Sequence, residues 1–357
     1  MKTAIIGLPM TGKTSLFAIL TGAHQETRMG STAARTGVAR VPDTRLEELG
    51  RLFEPPKVTH ATVEYVDMPS ISKESLRDPS YMASLRVADA FAHVLRLFED
   101  DTVPHEKESV NPVRDLEDVE TELILSDLVV VEKRLERLDK DRKKIKNPEL
   151  DREFDLLVRA KAVLEDNQPL RQLELDAEDE KRIRGFQFLS QKPLLAVLNL
   201  GENEASRLHE REREFREGPL ANRRHVSVAA VCGKIEAELA ELPAEEQQTF
   251  LASYGLHESG LERLISATYA LLGLMSFLTA GEDECRAWTI PMHSTAVKAA
   301  GAIHSDFEKK FIRAEVVNWK SLIDFGGYAG AREKGQLRLE GKEYIVKDGD
   351  VLVIRHS

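Results

Sequence analysis

The stretch Gly7-Leu8-Pro9-Met10-Thr11-Gly12-Lys13-Thr14 decides the fold, because it matches the pattern G-x-x-x-x-G-K-[ST]. The apolar run from Lys2 to Ile6 before it predicts a short strand, and the residues from Lys13 onward have helical periodicity. A strand, a glycine-rich turn and a helix in this order hold the phosphates of a nucleotide. A turn that only linked the strand to the helix would not require Lys13 and Thr14 together.

Each position of this loop has a chemical reason. Glycines let the backbone N–H groups curl around the phosphates, and the following helix adds its positive end. We predict that Lys13 reaches the outer phosphates, which gives it a catalytic as well as a binding role, and that Thr14 offers its hydroxyl to Mg²⁺. The predicted nucleotide-binding residues of the loop are Gly7, Pro9, Met10, Thr11, Gly12, Lys13, Thr14 and Ser15.

A carboxylate for the metal follows the apolar run from Val63 to Val66, which predicts another strand. Asp67 stands where a P-loop NTPase places the carboxylate that holds the magnesium shell. A GTPase-type site would have D-x-x-G, but here the sequence is Asp67-Met68-Pro69-Ser70, so the glycine that contacts the γ-phosphate is replaced. The alternative for Asp67 is a turn residue at a strand end.

A base-binding segment is predicted at Asn199-Leu200-Gly201-Glu202, directly after the apolar run from Leu194 to Leu198. A guanine-specific site has N-K-x-D, in which the Asp carboxylate accepts two hydrogen bonds from the base. Leu200 in place of Lys and Glu202 in place of Asp argue against strict guanine selection. A polar loop after a strand is the alternative.

Length and composition limit the class of protein. The chain has 357 residues, of which 42% are hydrophobic, and a formal net charge of -11. We therefore expect two or three domains. The negative net charge argues against a surface that is basic throughout and binds nucleic acid, although a local basic patch is compatible with it. Cys232 and Cys285 form no CxxC pair, so neither a disulfide framework nor a zinc site is expected. No stretch has the length of a membrane span or signal sequence, which favours a soluble cytoplasmic protein.

The periodicity of the sequence predicts three regions. Strands alternating with helices predict an α/β P-loop NTPase domain of GTPase-like type with a parallel sheet, formed by residues 1–114 and 191–275. Residues 115–190 predict an inserted α-helical hairpin with coiled-coil spacing, and residues 276–357 a small α+β domain. The hairpin turn has eight Lys or Arg against four acidic residues between Glu132 and Lys146. This basic segment is either a solvated helix face or a surface that binds RNA, and the sequence allows both interpretations.

Several runs of residues resemble one known family nearly from end to end. In the first region these runs include Val41-Pro42-Asp43, His93-Val94-Leu95-Arg96 and Phe98-Glu99-Asp100. The most specific are Phe277-Leu278-Thr279-Ala280-Gly281, Arg286-Ala287-Trp288-Thr289-Ile290, Phe311-Ile312-Arg313-Ala314 and Leu339-Glu340-Gly341-Lys342-Glu343-Tyr344-Ile345-Val346-Lys347-Asp348-Gly349-Asp350. The chain therefore resembles the YchF type of the Obg-like P-loop ATPases.

The resemblance implies an NTPase that hydrolyses ATP in preference to GTP with Mg²⁺ and associates with ribosomes. The N-x-x-E pattern of Asn199 and Glu202 is the family's own, and it agrees with the argument from hydrogen bonding. The family's C-terminal TGS domain has a β-grasp fold, and with the helical insertion it offers a surface for the ribosome or ribosomal RNA. The resemblance also implies a cytoplasmic monomer without membrane attachment.

The chain departs from the family at the phosphate site. Its two switch segments are shorter than those of the family, and Ser31 or Thr32 is predicted to supply the magnesium hydroxyl of the first switch. The second switch lacks its glycines after Asp67. His105 matches a histidine that the family has at this point, and a neutral imidazole can orient the attacking water or take its proton. An exposed loop histidine is the alternative for His105.

Three functions are compatible with these observations. The first is an ATP-hydrolysing switch that docks on the ribosome. The second is a nucleotide-binding module that has lost hydrolysis, since Ser70 replaces the switch glycine. The third is a GTP-binding protein proper, which would require that GTP binds more tightly than ATP.

Overall fold

The computed structural model describes residues 1–22, 34–72, 74–105 and 107–357, with residue 244 described by its backbone. Contacts between Cα atoms divide the chain into two units. The first unit comprises Met1–Val38 and Glu64–Leu271, and the second comprises Ala39–Val63 and Leu272–Ser357. Thr32 and Ser31, predicted as metal ligands, lie outside the described residues.

The described residues form strands and helices in the following order along the chain. The strands are β1 (Lys2–Ile6), β2 (Arg35–Arg40), β3 (Val58–Thr59), β4 (Thr62–Asp67), β5 (Ala90–Arg96), β6 (Leu194–Asn199), β7 (Val226–Val231), β8 (Leu274–Thr279), β9 (Cys285–Pro291), β10 (Phe311–Asn318), β11 (Arg338–Glu340) and β12 (Asp350–His356). The helices are α1 (Lys13–Thr21), α2 (Thr44–Phe53), α3 (Pro79–Arg86), α4 (Pro112–Arg142), α5 (Pro148–Glu165), α6 (Ala177–Ile183), α7 (Leu208–Glu217), α8 (Gly233–Glu241), α9 (Ala244–Ser253), α10 (Gly260–Leu271), α11 (Ala296–Ile303), α12 (Ser305–Lys309), α13 (Trp319–Asp324) and α14 (Tyr328–Glu333). Short 3₁₀ turns occupy Ser75–Arg77, Leu170–Gln172, Arg184–Phe186 and Glu202–Arg207.

The sheet of the first unit has the order β2-β4-β1-β5-β6-β7. Its strands β4, β1, β5, β6 and β7 are parallel to their neighbours, with Ile5 opposite Asp67 and Arg96 opposite Asn199. The carboxyl ends of parallel strands meet at one edge of a sheet, so the loops after β1, β4 and β6 lie together. The α/β fold with a parallel sheet that the sequence predicts is confirmed.

Strands β5 and β6 are buried along their whole length, as continuous apolar runs in a parallel sheet should be. One core cluster joins Phe91 and Leu95 of β5 to Leu116, Val119 and Leu123 of α4. The first turns of α4 therefore pack on the sheet and belong to its core, which fixes the position of this long helix.

Helices α4 and α5 form the hairpin that the sequence predicts. Asn147 caps α5 by accepting a hydrogen bond from the N–H of Glu149 at 3.0 Å, and Pro148 occupies the first helical position. Val131 and Leu138 of α4 are completely buried in the hairpin's own core, as is Leu157 of α5. Burial of such a side chain contributes roughly 1.5–3 kcal/mol, so the hairpin is a packed element rather than an isolated helix.

Two buried carboxylates tie α4 to the rest of the first unit. Asp127 accepts hydrogen bonds from the N–H groups of Leu189 at 2.9 Å and Ser190 at 2.7 Å, and from the Ser190 hydroxyl at 2.7 Å. Glu120 accepts two hydrogen bonds from Arg171, at 2.9 and 2.8 Å. These hydrogen bonds satisfy both carboxylates, and loss of a donor would leave a buried carboxylate without its partner.

The second unit is built on a mixed sheet of order β11-β10-β12-β8-β9-β3, with α11 packed in its core. Strands β8 and β9 are antiparallel, as are β10 and β12, whereas β12 runs parallel to β8. Strand β3 from the N-terminal part adds to β9, and Arg45 of α2 donates to Asp348 at 2.6 Å. These contacts group residues 39–63 with the C-terminal residues, although the sequence assigned them to the nucleotide-binding domain. The boundaries drawn from the sequence remain predictions.

None of the helices in the described part of the chain combines the length and the apolar content that spanning a bilayer requires. Cys232 and Cys285 are both buried and free.

Candidate functional site

The loop between β1 and α1 requires its glycines. Gly7 has φ +145° and Gly12 has φ +92°, conformations that residues with a side chain rarely adopt. A Cβ atom at Gly7 would lie 2.7 Å from the carbonyl oxygen of Val94, and one at Gly12 would lie 2.5 Å from the Asn199 Nδ2. Gly12 is the N-cap of α1, so the positive end of the helix faces the loop. Pro9, Met10 and Ser15 are exposed.

Lys13 is buried inside the loop that it follows. Its ammonium donates to the carbonyl oxygen of Leu8 at 2.5 Å and to the hydroxyl of Ser70 at 3.2 Å. The side chain is only 6% exposed. A buried positive charge beside a loop of backbone N–H groups attracts phosphate, so this position suits the predicted role of Lys13, which stays a prediction.

Asp67 and Thr14 come together as the predicted metal ligands. The Thr14 hydroxyl donates to Asp67 Oδ2 at 3.0 Å, and Asp67 Oδ1 is buried without a hydrogen-bond partner among the described residues. Hydroxyl and carboxylate oxygens are the ligands that Mg²⁺ prefers, and an unpartnered buried oxygen leaves coordination capacity in this pair. The residues therefore fit a magnesium ion bound with nucleotide phosphates.

The segment after Asp67 is anchored to the phosphate loop. Met68 and Ile71 are buried at 2% and 4% exposure, and their N–H groups donate to the carbonyl oxygens of Ile5 and Gly7, each at 3.2 Å. The hydroxyl of Tyr81 donates to the carbonyl oxygen of Pro69 at 3.1 Å. Side chains in the core and three hydrogen bonds hold this segment where a glycine-rich switch would be free to move.

Asn199 joins two loops. Its amide donates to the carbonyl oxygen of Thr11 at 3.0 Å and accepts from the N–H of Gly233 at 3.0 Å. It is 7% exposed, so both hydrogen bonds are made away from bulk water. Leu200, also predicted to bind the base, has its side chain in the core at 2% exposure, and only its backbone faces the site edge.

Glu202 forms an ion pair with Lys234, which follows β7. The Lys234 ammonium lies 2.5 Å from Glu202 Oε2, and this hydrogen bond raises the pKa of Lys234. Lys234 was not predicted as a site residue from the sequence. It follows the apolar strand β7 and so lies at the same edge of the sheet as Asn199, which ends β6. One oxygen of the Glu202 carboxylate is thus committed to a cation.

His105 is held between the backbone of Lys107 and the carboxylate of Asp115. Its Nδ1 accepts from the N–H of Lys107 at 3.0 Å, and its Nε2 lies 3.2 Å from Asp115 Oδ2. The side chain is 7% exposed, so the exposed loop histidine considered from the sequence is wrong. With Nδ1 as an acceptor, the ring proton sits on Nε2 and points at Asp115. Neither nitrogen is available to take a proton from water in this arrangement.

A second histidine, missed by the sequence analysis, lies beneath the loop. His93 on β5 is 1% exposed, and its Cδ2 lies 3.4 Å from the position of a Cβ atom at Gly7. Burial, with smaller contributions from the charges of Lys13 and Arg171, lowers the pKa of His93 to about 3. The ring is therefore neutral at physiological pH and acts as a packing group under the loop.

Comparisons with known proteins cover the whole chain. The family model YchF-GTPase_C, described as a protein of unknown function (DUF933), matches residues 274–357. The ribosome-binding ATPase YchF of Bacillus subtilis (strain 168) is 40% identical over 364 residues, which cover 100% of this chain and 99% of that protein. The protein of the same name from Escherichia coli O157:H7 is 39% identical over 362 residues, covering 98% of each. The solved structure of the Schizosaccharomyces pombe YchF GTPase has a TM-score of 0.85 and 26% identity, and covers 99% of this chain and 97% of that one.

Proposed function

The chain belongs to the YchF family, since it is 40% identical to a member over its whole length, and from this premise we propose that it is a P-loop ATPase that associates with the ribosome. The observation that carries the proposal is the position of Lys13. Its buried ammonium contacts the carbonyl oxygen of Leu8 in the phosphate loop and the hydroxyl of Ser70 in the segment after Asp67. Phosphoryl transfer depends on positioning and charge, and these residues supply both.

Magnesium is part of this proposal. When bound, the ion would neutralise charge that develops on the phosphates. Thr14 and Asp67 are the residues that would hold it, because their oxygens already lie 3.0 Å apart at the edge of the sheet. Lys13 binds and orients the outer phosphates, while Asn199 keeps the loop in place through Thr11.

We assign ATP rather than GTP as the preferred nucleotide. A carboxylate that selects guanine must accept two hydrogen bonds from the base, and this requires both oxygens in one geometry. Glu202 shares an oxygen with Lys234 and is held by that ion pair. The relatives from B. subtilis and E. coli are named as ATPases, whereas the S. pombe structure is titled a GTPase. The contact of Glu202 favours the first assignment.

A nucleotide-binding module with impaired hydrolysis is the second candidate, and two observations favour it. The segment from Met68 to Ile71 is fixed in the core, and both ring nitrogens of His105 are engaged. A general base must be within hydrogen-bond reach of the water it activates. Catalysis by His105 therefore requires that its contacts with Asp115 and Lys107 break first, which predicts slow intrinsic turnover.

The ribosome is the proposed partner because the relatives from B. subtilis and E. coli are named ribosome-binding ATPases. On the hairpin, ion pairs of Arg134 with Glu153 and Arg142 with Asp151 neutralise part of the basic turn. Five exposed basic residues have no carboxylate partner within the described part of the chain: Lys133, Arg137, Lys140, Lys144 and Lys146. Clustered uncompensated cations attract the phosphates of RNA. We propose a cytoplasmic location for this ribosome-binding protein, and the monomeric state stays a prediction from the family resemblance.

Phosphate release separates the two candidates. The purified protein is incubated with ATP and Mg²⁺, and free phosphate is followed over many turnovers with and without ribosomes. Release that disappears in Lys13→Ala supports the ATPase. Tight binding of a fluorescent ATP analogue with no release in either condition supports the binding module. Arg216→Gln, an exposed substitution on α7, is the matched control for changes of a basic residue.

A further inference from the structure

Arg35, at the start of β2, contacts the predicted magnesium carboxylate. Its Nη2 lies 3.1 Å from Asp67 Oδ2, the same oxygen that accepts the hydroxyl of Thr14 at 3.0 Å. The Arg35 side chain is 42% exposed, whereas Asp67 is 6% exposed. One flexible, half-exposed cation thus sits on an otherwise buried carboxylate.

The two oxygens of Asp67 differ in their contacts. Oδ2 accepts hydrogen bonds from Thr14 and Arg35, whereas Oδ1 is buried without a partner among the described residues, so a cation that binds this carboxylate meets Arg35 beside it. A divalent cation held by Thr14 and Asp67 would stand beside the guanidinium of Arg35. The divalent cation and the guanidinium of Arg35 would repel each other at this distance, and each is stabilised by the negative charge of Asp67.

We propose that Arg35 acts as a cationic gate on the magnesium site, holding Asp67 when no divalent cation is present and leaving it when magnesium enters with nucleotide. This inference rests on the proposed nucleotide-binding function and deepens it, because it assigns a regulatory residue to the same site. The contact is easy to break, since a single guanidinium nitrogen is within hydrogen-bond distance of Asp67 and the side chain borders solvent.

The gate has a measurable consequence for the requirement for magnesium. In the native protein the ion must displace Arg35. Half-maximal binding of nucleotide therefore requires a higher concentration of free Mg²⁺ than in a protein without the charge of Arg35. Removal of the charge in Arg35→Gln should lower this concentration by roughly tenfold, as expected for loss of an adjacent like charge. Arg35→Lys keeps the charge and should behave like the native protein.

The test titrates free Mg²⁺ against binding of a fluorescent ATP analogue to the full chain, starting from a sample with EDTA. Four proteins are compared: native, Arg35→Gln, Arg35→Lys and the control Arg216→Gln. The inference is supported if the midpoint falls about tenfold in Arg35→Gln alone. It is overturned if that midpoint stays within about twofold of the native value, or rises, while nucleotide still binds. If none of the four binds nucleotide at any magnesium concentration, the proposed function fails and this inference with it.

Discussion

The side chain of Asn199 donates a hydrogen bond of 3.0 Å to the backbone carbonyl of Thr11, from the end of β6 to the tip of the phosphate loop. The two residues are 188 positions apart in sequence. The loop conformation therefore depends on the segment that was predicted to select the base. The predicted phosphate site and the predicted base site therefore share one structural element.

Asn199→Ala should weaken nucleotide binding. The substitution leaves the carbonyl of Thr11 and the N–H of Gly233 unpaired in a buried place, at a cost of about 1–3 kcal/mol for each group. We expect the dissociation constant of a fluorescent ATP analogue to rise at least roughly tenfold. Asn147→Ala is the control, since it removes the cap of α5 and about 1 kcal/mol of stability without touching the loop. Equal affinity in both variants would contradict the role of Asn199.

Ser70→Gly should raise the rate of phosphate release. It removes the hydroxyl that accepts from Lys13 at 3.2 Å and gives the backbone the freedom that a switch glycine has. Ser70→Ala removes the same hydroxyl but adds no backbone freedom. A several-fold faster release in the glycine variant alone, on the scale of about 1 kcal/mol, is expected in steady-state assays. If the alanine variant gains as much, release of Lys13 and not backbone mobility is the cause.

Because of Asp127, the free energy of unfolding should fall as pH rises. A carboxylate in a surface ion pair has the opposite effect. Burial raises its pKa to about 6, above the usual 3.8, despite hydrogen bonds from Ser190 and Leu189. The folded state therefore holds a proton that the unfolded state has lost, so the free energy of unfolding falls as pH rises from about 4 to about 6. Urea unfolding at about pH 4 and about pH 6, compared with Asp127→Asn, checks this. The difference between the two proteins should change by about 1 kcal/mol per pH unit in this window, and a constant difference would refute it.

Reversal of charge on the hairpin should weaken ribosome binding. The triple variant Lys140→Glu, Lys144→Glu and Lys146→Glu replaces exposed cations on and after α4, and each lost phosphate contact lowers both affinity and its salt dependence. Co-sedimentation with ribosomes should fall by more than about tenfold at physiological salt. The pair Arg213→Glu and Arg216→Glu on α7 is the control for charge reversal outside the hairpin. Retention of binding by the triple variant, with a loss in the control, would place the docking surface elsewhere.

Local patterns predicted much of the fold because they arise from neighbours in sequence. The phosphate loop follows from Gly7 to Thr14, and the continuous apolar runs of β5 and β6 follow from burial on both faces. Strand β12 begins at Asp350, directly after the turn that Asp348 and Gly349 predict.

Contacts between distant segments were not predictable from periodicity. Nothing near Arg35 indicates that it reaches Asp67, 32 positions away. The pairing of β3 with β9 joins residues more than 200 positions apart, so periodicity could not indicate that residues 39–63 contact the C-terminal residues. Leu200 aligned with a base-contacting position, yet its side chain completes the core because the strand's alternation continues one residue beyond β6.

Competition between ATP and GTP tests the central claim most directly. The native protein, with Mg²⁺ and a bound fluorescent ATP analogue, is titrated with unlabelled ATP and with unlabelled GTP. The pair of Glu202 with Lys234 predicts that ATP displaces the analogue at a concentration at least about tenfold lower than GTP, a difference of roughly 1.4 kcal/mol. Tighter binding of GTP than of ATP would contradict the account of Asn199 and Glu202.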